Sequence, residues 1–358
     1  MYFCSLIESI DDMNKFYLAI LFFLITLAVQ AQRVTNAAFE QKGQQVEITY
    51  TLDRQADILI YLSTDGGTTY GKALKAVEGD VGREVSAGNK RAVWSPLQEG
   101  DGIVSDNVVF KIVADGGGIQ VFEVSGVTFK MIRVDGGQFT MGCILEQDSN
   151  CVDKELPPHD VTLDTYYIGQ TEVTQALWRA VMNNEITDQR DKANPSWKLY
   201  GQGDNFPMYY VSWQDCQEFI SRLNEKTGKR FVLPTEAQWE YAARGGGKSK
   251  GYNYAGSRIA DNVAWYEGNR VHSVASKFPN ELGLYDMSGN VWEWCADWYG
   301  AYQNEAQTEP YGPVSGGMRV YRGGSSWSSA DNCRVSFRGS YAPQNSYHTI
   351  GFRLVMLP

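Results

Sequence analysis

The hydrophobic pattern changes near residue 115, and this change limits the 358-residue chain to folds with two domains. Before that point, apolar and polar residues alternate in short segments that end in turn residues. After it, Gly, Trp and Tyr are frequent and few segments have a regular period. Because domains usually have about 100–200 residues, we expect domains at 33–115 and 126–358, joined by a glycine-rich linker at 116–125.

The first domain is predicted to be a β-sandwich. The segment "QQVEITYTL" alternates Val46, Ile48 and Tyr50, and "NVVFKIVAD" places Val108 and Phe110 on one face. Turn sequences such as "DGG" separate these segments at intervals of about a dozen residues. This pattern is typical of an immunoglobulin-like sandwich, and we find no catalytic cluster in its sequence.

The second domain is predicted to combine three helices with much irregular structure, which places the whole chain in the α+β class. Thr174 precedes the helical pattern "QALWRAVMNN". Ser212 and Gly228 bound the pattern "WQDCQEFISRLNEKT" as start and stop signals. Thr235 precedes a third helix, in which Gln238 completes a capping box.

The first 31 residues indicate an export signal. The apolar run 16–29 is shorter than the ~20 residues that span a membrane, and Val29-Gln30-Ala31 fits a cleavage site. Acidic residues before Met13 indicate that Met13 is the true start. We therefore expect a periplasmic, cell-surface or secreted protein without a stable membrane span after cleavage.

Charge and cysteine content narrow the partners and the redox state. The chain has 42 acidic and 32 basic residues, a net charge of -10, which argues against a nucleic-acid partner. Five cysteines follow the expected signal, and in an oxidising compartment some of them should pair. Cys143 and Cys151 flank a short polar loop and are expected to form a disulfide. Cys216 lies in a predicted helix and is expected to be a buried thiol.

The second domain contains a series of long motifs: "GGQFTMG" (136–142), "PPHDVTLDTYYIGQTEVTQALW" (157–178), "YYVSWQDCQEFISRLN" (209–224), "RFVLPTEAQWEYAARGG" (230–246), "ELGLYDMSGNVWEWCADWY" (281–299), "RVYRGGSSW" (319–327) and "IGFRLV" (350–355). In this order, the motifs resemble the sulfatase-modifying factor family, whose founding members are formylglycine-generating enzymes. The resemblance covers roughly residues 126–357 and implies an irregular fold of the C-type-lectin kind.

The resemblance implies a copper site that this chain has altered. In active family members, two cysteines after Gly-Gly-Ser hold Cu(I), and O2 oxidises a substrate cysteine to formylglycine. These two positions are Ser328 and Cys333 here. Because Cu(I) prefers thiolates and a serine hydroxyl stays protonated, the substitution predicts loss of the copper site. Cys333 is then expected to form a disulfide with Cys295, and a catalytic role for Cys333 is the alternative.

The resemblance also implies a calcium site in the turn "LYDMSGNVWEW". The family's ligands correspond to the side chains of Asp286 and Glu293 and to the backbone oxygens of Gly289 and Val291. Carboxylate and carbonyl oxygens are the ligands that Ca2+ prefers. The alternative is an Asp-capped turn that closes over a tryptophan-rich core.

The segment between "RVYRGGS" and "IGFRLV" has the composition of a recognition surface, because aromatic residues alternate with Ser, Gly and Asn. It resembles the C-terminal variable region of diversity-generating retroelement target proteins; the alternative is an ordinary loop. The candidate ligand-binding residues are Ser326, Trp327, Ser328, Asp331, Asn332, Phe337, Tyr341, Gln344, Tyr347 and His348.

Three functions remain open at this stage. The first is non-catalytic binding of an extracellular or periplasmic protein or glycan through the C-terminal surface. The second is a copper-dependent formylglycine-generating oxidase with a variant site. The third is a structural component of a cell-envelope or secretion machine.

Overall fold

The computed structural model describes residues 34–53, 56–99, 107–115, 118–144 and 150–357. The expected export signal lies outside these residues. The chain divides into two compact units, with the boundary between residues 117 and 118. In the described part of the chain, no helix is both long and apolar enough to cross a bilayer.

The first unit consists of two antiparallel sheets that share one apolar core. The sheet orders are β1-β2-β6-β4 and β5-β3-β7. Alternating residues such as Val46, Ile48 and Trp94 are buried together with Ile58 and Ile60 from the other sheet. The predicted strands are therefore present, and the immunoglobulin-like topology remains a prediction. The elements are β1 Val34–Lys42, β2 Gln45–Leu52, β3 Ala56–Ser63, β4 Val77–Gly79, β5 Gly82–Val85, β6 Gly88–Trp94, α1 Pro96–Glu99 and β7 Val109–Asp115.

The second unit is a mixed α/β, sheet-rich domain. Its sheets have the orders β13-β19-β12-β9-β8, β17-β16-β14-β18 and β10-β11-β15. Its strands are β8 Ile119–Val124, β9 Val127–Val134, β10 Gly137–Met141, β11 His159–Leu163, β12 Tyr166–Gly169, β13 Phe231–Val232, β14 Trp292–Trp298, β15 Gln307–Thr308, β16 Arg319–Arg322, β17 Arg338–Tyr341, β18 Ile350–Gly351 and β19 Val355–Met356. Its helices are α2 Gln175–Met182, α3 Ile186–Ala193, α4 Trp213–Thr227, α5 Glu236–Ala243 and α6 Ala260–Val263.

The expected linker at 116–125 is wrong over most of its length. Residues 119–124 form β8, which pairs antiparallel with β9 in a hairpin. The turn at Ser125-Gly126 adopts positive φ at both residues, which suits a tight hairpin connection. The glycines before residue 119 are typical of a linker. The pattern "IQVFEV" after them is too short to indicate a strand without its partner β9.

The three predicted helices begin where their capping residues stand. The side-chain oxygens of Thr174, Ser212 and Thr235 each accept a hydrogen bond from the backbone N–H three residues later, at 3.1–3.2 Å. Gly228 ends α4 in the left-handed conformation, with φ 65°. Helix α3, whose sequence "ITDQRDKA" has little apolar periodicity, was not predicted.

Strand β14 is buried on both faces and places the C-terminal sheet at the centre of the second unit. Trp292 and Trp294 pack with Phe352 in one apolar cluster. Cys295, whose side chain points to the opposite face, packs with Val320 in the other. The strands next to β14 carry the segment that the sequence predicts to be functional.

Candidate functional site

Buried arginines hold the C-terminal segment in place. Arg334 forms a two-bonded ion pair with Glu155, with N–O distances of 2.9 and 3.0 Å. Arg338 forms a similar pair with Glu236, at 2.7 and 2.5 Å. Planar guanidinium and carboxylate groups fit each other in this geometry, and burial makes the loss of either partner costly.

Two further arginines flank the segment on both sides. Arg322, at the end of β16, contacts Glu240 and lies 3.3 Å from Glu236. Arg353, after β18, forms two hydrogen bonds with Glu293, at 2.5 and 2.6 Å. The residues between these fixed points therefore follow an irregular path without needing regular secondary structure.

Ser328 and Cys333 lie in the protein interior rather than at an open site. The Ser328 hydroxyl oxygen accepts a hydrogen bond from the Ser325 backbone N–H at 3.0 Å and lies 3.2 Å from the Ser325 hydroxyl. Cys333 is fully buried, and burial raises its pKa to about 12, so its thiol is neutral near neutral pH. A hydroxyl and a neutral thiol do not fit Cu(I), which prefers thiolate ligands.

The expected disulfide between Cys295 and Cys333 is wrong. Both cysteines are free and buried among the residues that the structure describes. Cys295 belongs to the large cluster around Val320, whereas Cys333 packs with Ala260 in a separate small cluster. Because the two thiols occupy different cores, they cannot meet without a rearrangement of the sheet.

The other cysteine predictions are confirmed. Cys143 and Cys151 form a disulfide, with an S–S distance of 2.03 Å. Cys216 is a free buried thiol in α4. The disulfide closes a short loop directly before the 3-10 turn at residues 153–155, which carries Glu155, the partner of Arg334.

The two carboxylates expected to bind calcium, those of Asp286 and Glu293, form hydrogen bonds with other protein groups. Arg353 binds both oxygens of Glu293, and one of them also accepts from Trp239 Nε1 at 2.7 Å. The Asp286 carboxylate accepts from the Ala275 backbone N–H at 2.7 Å. In the described ranges, no group of three or more His, Cys, Asp or Glu side chains is arranged to hold a metal ion.

Asp286 and Glu172 form a buried pair of acidic side chains. Burial raises the pKa of Asp286 to about 6 and that of its neighbour Glu172 well above its usual value. Glu172 also accepts a hydrogen bond from the Asn290 side chain at 3.0 Å. Because Glu293 is neutralised by Arg353, this arrangement does not fit a bound calcium ion without displacing that arginine.

The backbone of the same turn fits a tight structural role. Gly289 has φ 84°, and a Cβ atom there would lie 2.3 Å from the Trp265 carbonyl oxygen. The Gly289 N–H donates to the Gly323 carbonyl at 2.7 Å, which ties the turn to the end of β16. Val291 is fully buried in the main apolar cluster.

Aromatic side chains gather around His348, and all of them except the buried Tyr210 are exposed or partly exposed. We call Trp197, Tyr200, Tyr210, Trp327, Tyr347 and His348 the His348 cluster. Ring centroids of Tyr347, Tyr200 and Trp327 lie 4.2, 4.8 and 4.8 Å from that of His348. Tyr347 and Trp197 are 41% and 36% exposed, and burial lowers the pKa of His348. The cluster therefore presents a largely uncharged aromatic surface at neutral pH.

The predicted ligand-binding residues divide into a buried and an accessible group. Ser326 and Ser328 are buried, and the Ser326 hydroxyl donates to the Asn290 carbonyl oxygen at 3.2 Å, so both serve the local fold. This corrects their assignment to the surface. The accessible or partly accessible group comprises Trp327, Asp331, Asn332, Phe337, Tyr341, Gln344, Tyr347 and His348.

Three members of the cluster were missed by sequence reasoning. Trp197, Tyr200 and Tyr210 come from the segment between α3 and α4, more than 100 residues before His348. Their signal was the aromatic density of "SWKLYGQGDNFPMYY" outside any helical or strand pattern. The Tyr210 N–H donates to the Tyr347 carbonyl at 3.2 Å, which joins the two segments.

The second unit, a sheet-rich α/β domain with the Gly-Gly-Ser segment at residues 323–325, falls in the class of formylglycine-generating-enzyme-like domains. The chain belongs to the family described as the sulfatase-modifying factor enzyme 1-like domain, which it matches over residues 121–357.

Individual relatives carry several different names. The chain is 31% identical to a formylglycine-generating enzyme of Streptomyces coelicolor, covering 62% of this chain and 87% of that protein. It is 28% identical to the chaperone protein LppX of Paenibacillus barcinonensis, covering 69% and 98%. Its second unit resembles the structure of Treponema denticola variable protein 1, with a TM-score of 0.58 and 31% identity, covering 67% and 99%. Family membership is therefore clear, and the names alone do not select one activity.

Proposed function

We propose that this chain is an exported, non-catalytic member of its family that binds a protein or glycan ligand through its C-terminal surface. The observation that carries the proposal is the pair at the family's copper positions. Ser328 supplies a hydroxyl bonded to Ser325, and Cys333 supplies a buried thiol with a pKa of about 12. Neither group is a thiolate ligand for Cu(I).

The accessible surface beside this pair supports binding. Aromatic residues give large, rigid contact area, and neighbouring Ser, Asn and Gln residues give hydrogen bonds that adapt to a partner. Trp, Tyr and Phe are enriched in the centres of interfaces, where a few of them carry most of the binding energy. The structural similarity to Treponema denticola variable protein 1 is compatible with such a surface, although that name does not specify a ligand.

The second candidate is oxidation of a sulfatase-type cysteine to formylglycine. It is favoured by the 31% identity to a formylglycine-generating enzyme. Under this candidate, Cys333 would act as a variant copper ligand beside Ser328. Incubation of the purified chain with Cu(I), O2 and a cysteine peptide, followed by mass spectrometry, separates the two functions, since only the oxidase forms the aldehyde.

Ligand screening tests the binding function directly. We expect the purified chain to bind defined members of a peptide library or a glycan array, and Tyr347→Ala to weaken this binding about tenfold or more. Tyr311→Ala is the matched control, because Tyr311 is exposed at 59% in a different loop. Equal weakening by both variants, or no weakening by Tyr347→Ala, would contradict the C-terminal surface as the binding site.

Further properties of the chain also stand as proposals. Export follows from the signal at residues 1–31, and mass spectrometry of the mature N-terminus tests it. The immunoglobulin-like and C-type-lectin-like topologies rest on sequence pattern and resemblance. Calcium binding through Asp286 and Glu293, which the resemblance implies, would require Arg353 to leave Glu293, and metal analysis of the purified protein tests it.

A further inference from the structure

The side chain of Lys154 lies over the ring of Phe337, a partly accessible residue of the C-terminal segment. Its ammonium nitrogen lies 3.7 Å from the centroid of the Phe337 ring. In the described ranges, the structure shows no ion pair or side-chain hydrogen bond for this nitrogen. An ammonium group has three N–H donors, and an aromatic face satisfies them only in part.

The charges around Lys154 are unbalanced toward positive. The charged groups that act on Lys154 are Glu155 and the cations Arg322, Arg334 and Arg338. Burial and these three cations lower the pKa of Lys154, and Glu155 raises it. The carboxylates of this region are already used, because Glu155 pairs with Arg334 and Glu236 pairs with Arg338. A cation in such surroundings gains from an additional anion.

The remaining glutamate of this region does not change that balance. Glu240 is shared between Arg322 and Arg244. Burial also raises the pKa of Asp297, which contacts the Glu236 backbone N–H, to about 7, so this carboxyl is only partly ionised near neutral pH. A chain with a net charge of -10 therefore carries a local positive site at Phe337, one of the partly accessible residues of the C-terminal segment.

Lys154 is held in a fixed position. The disulfide between Cys143 and Cys151 closes the loop before it, and the Lys154 carbonyl oxygen accepts a hydrogen bond from Arg338 at 3.4 Å. Phe337, its ring partner, lies 6.0 Å from Trp292 between ring centroids. The cation is thus continuous with the partly buried aromatic residues of the C-terminal sheet.

We propose that Lys154 and Phe337 form the anion-binding part of the C-terminal surface and receive an aspartate or glutamate side chain of a protein partner. The proposal rests on the proposed binding function and names the chemistry of its partner. A carboxylate supplies the missing acceptor for the ammonium group. The apolar ring of Phe337 limits access by water and strengthens the charge–charge contact.

The surroundings favour a protein over a glycan as the source of the carboxylate. The accessible residues include Trp327, Tyr347 and Phe337 with Asn332 and Gln344, a composition typical of protein interfaces. Interfaces of this kind place a few charged contacts beside aromatic anchors, where the charges select the partner. An acidic sugar is the outcome that would overturn this part of the proposal.

Peptide selection with the full chain tests the proposal. A random twelve-residue phage library is selected on the wild-type protein and on Lys154→Met, and the enriched peptides are sequenced. We expect enrichment of Asp and Glu on the wild type only. For a selected peptide, we expect K154M to weaken binding about tenfold, with little further loss when the peptide's acid is changed to its amide.

Matched variants separate charge from folding. Lys154→Arg keeps the charge and should retain the acidic preference. Lys250→Met is the matched control and should leave binding unchanged, because Lys250 also lies over an aromatic ring, that of Tyr252 at 6.0 Å, but belongs to the loop after the 3-10 helix at Gly246–Lys248. Near-ultraviolet circular dichroism should be the same for K154M and wild type, and Tm should change by no more than a few degrees, because the cation–π contact with Phe337 contributes only a small part of the stability.

Two outcomes would overturn parts of the proposal. Peptides without acid enrichment that bind K154M as well as wild type would overturn the anion site. If their binding is still lost in Tyr347→Ala, the proposed binding function stands. Failure to enrich any peptide, together with retention of carboxylated sugars on a glycan array, would overturn the protein partner.

Discussion

Ser328 and Cys333 differ in polarity, in hydrogen bonding and in the cluster to which they belong. Ser328 is bonded to Ser325, whereas Cys333 packs with Ala260 and Ala264. Gly324, with φ 79°, brings the backbone so close that a Cβ atom there would lie 2.5 Å from the Cys333 sulfur. The pair is therefore part of a tightly packed interior, in which both side chains contribute to the local fold.

Ser328→Cys tests whether the missing sulfur alone separates this chain from a copper protein. We expect the variant to bind one equivalent of Cu(I) that the wild type does not bind, because two thiols supply the soft ligands that Cu(I) prefers. Competition with a chromophoric Cu(I) chelator measures the difference. Ser329→Cys adds a thiol at an exposed neighbouring position and should bind no better than wild type.

Asp297 predicts a dependence of stability on pH. Its pKa is raised from 3.8 to about 7, mainly by burial and then by Glu236, so the folded state binds its proton more tightly than the unfolded state. This contribution to stability is lost as pH rises from about 4 to 7. Asp297→Asn keeps an oxygen that can accept from the Glu236 N–H and removes the titration.

The expected result is a change in the stability difference between the two proteins. Asp297→Asn should gain about 2 kcal/mol in free energy of unfolding relative to wild type between pH 5 and pH 8. Urea denaturation at both pH values measures this quantity. A constant difference would show that Asp297 does not titrate in this range.

At the scale of elements, four arginines and their glutamates fix a segment that has little regular structure. β16 and β17 are four residues each, and the segment between them has one short 3-10 helix, Ala330–Cys333, with bends and turns around it. The glutamate partners come from α5, β14 and the 3-10 turn at residues 153–155. The position of the surface therefore depends on long-range ion pairs rather than on local propensity.

Arg334→Leu measures one of these pairs. We expect it to lower the free energy of unfolding by about 3–5 kcal/mol, because it leaves Glu155 buried and uncompensated. The double variant Glu155→Leu, Arg334→Leu should recover much of that loss. Arg222→Leu breaks an exposed pair with Glu218 on α4 and should cost less than about 1 kcal/mol. Equal losses in both single variants would contradict the structural role of Arg334.

Local features of these elements were predictable from sequence, and long-range ones were not. Capping at Thr174, Ser212 and Thr235 depends on residues three positions apart, so the pattern alone locates the helix starts. The pairing of Arg334 with Glu155 spans 179 residues, and no spacing rule predicts it. The same limit explains the wrong disulfide, because sequence order does not show that Cys295 and Cys333 lie in separate cores.

At the scale of the whole molecule, the chain keeps the family's domain over residues 121–357 and carries Ser328 where the family resemblance implies a second cysteine. The resemblance located the copper positions, the glycine-rich turn and the C-terminal segment. It did not show that the serines of that segment are buried or that aromatic residues from before α4 complete the surface. Those facts depend on how distant segments pack together. They favour the His348 cluster over Ser326 and Ser328 as the candidate binding site.

The central claim is that Ser328 and Cys333 do not support copper-dependent oxidation. Its most direct test loads the purified wild-type chain with one equivalent of Cu(I) without oxygen, then adds O2, excess thiol reductant and a sulfatase-type cysteine peptide, and analyses the peptide by mass spectrometry. We predict that the peptide keeps its cysteine and that the copper is removed by a competing chelator. Stoichiometric retention of copper together with catalytic formation of formylglycine would contradict the claim.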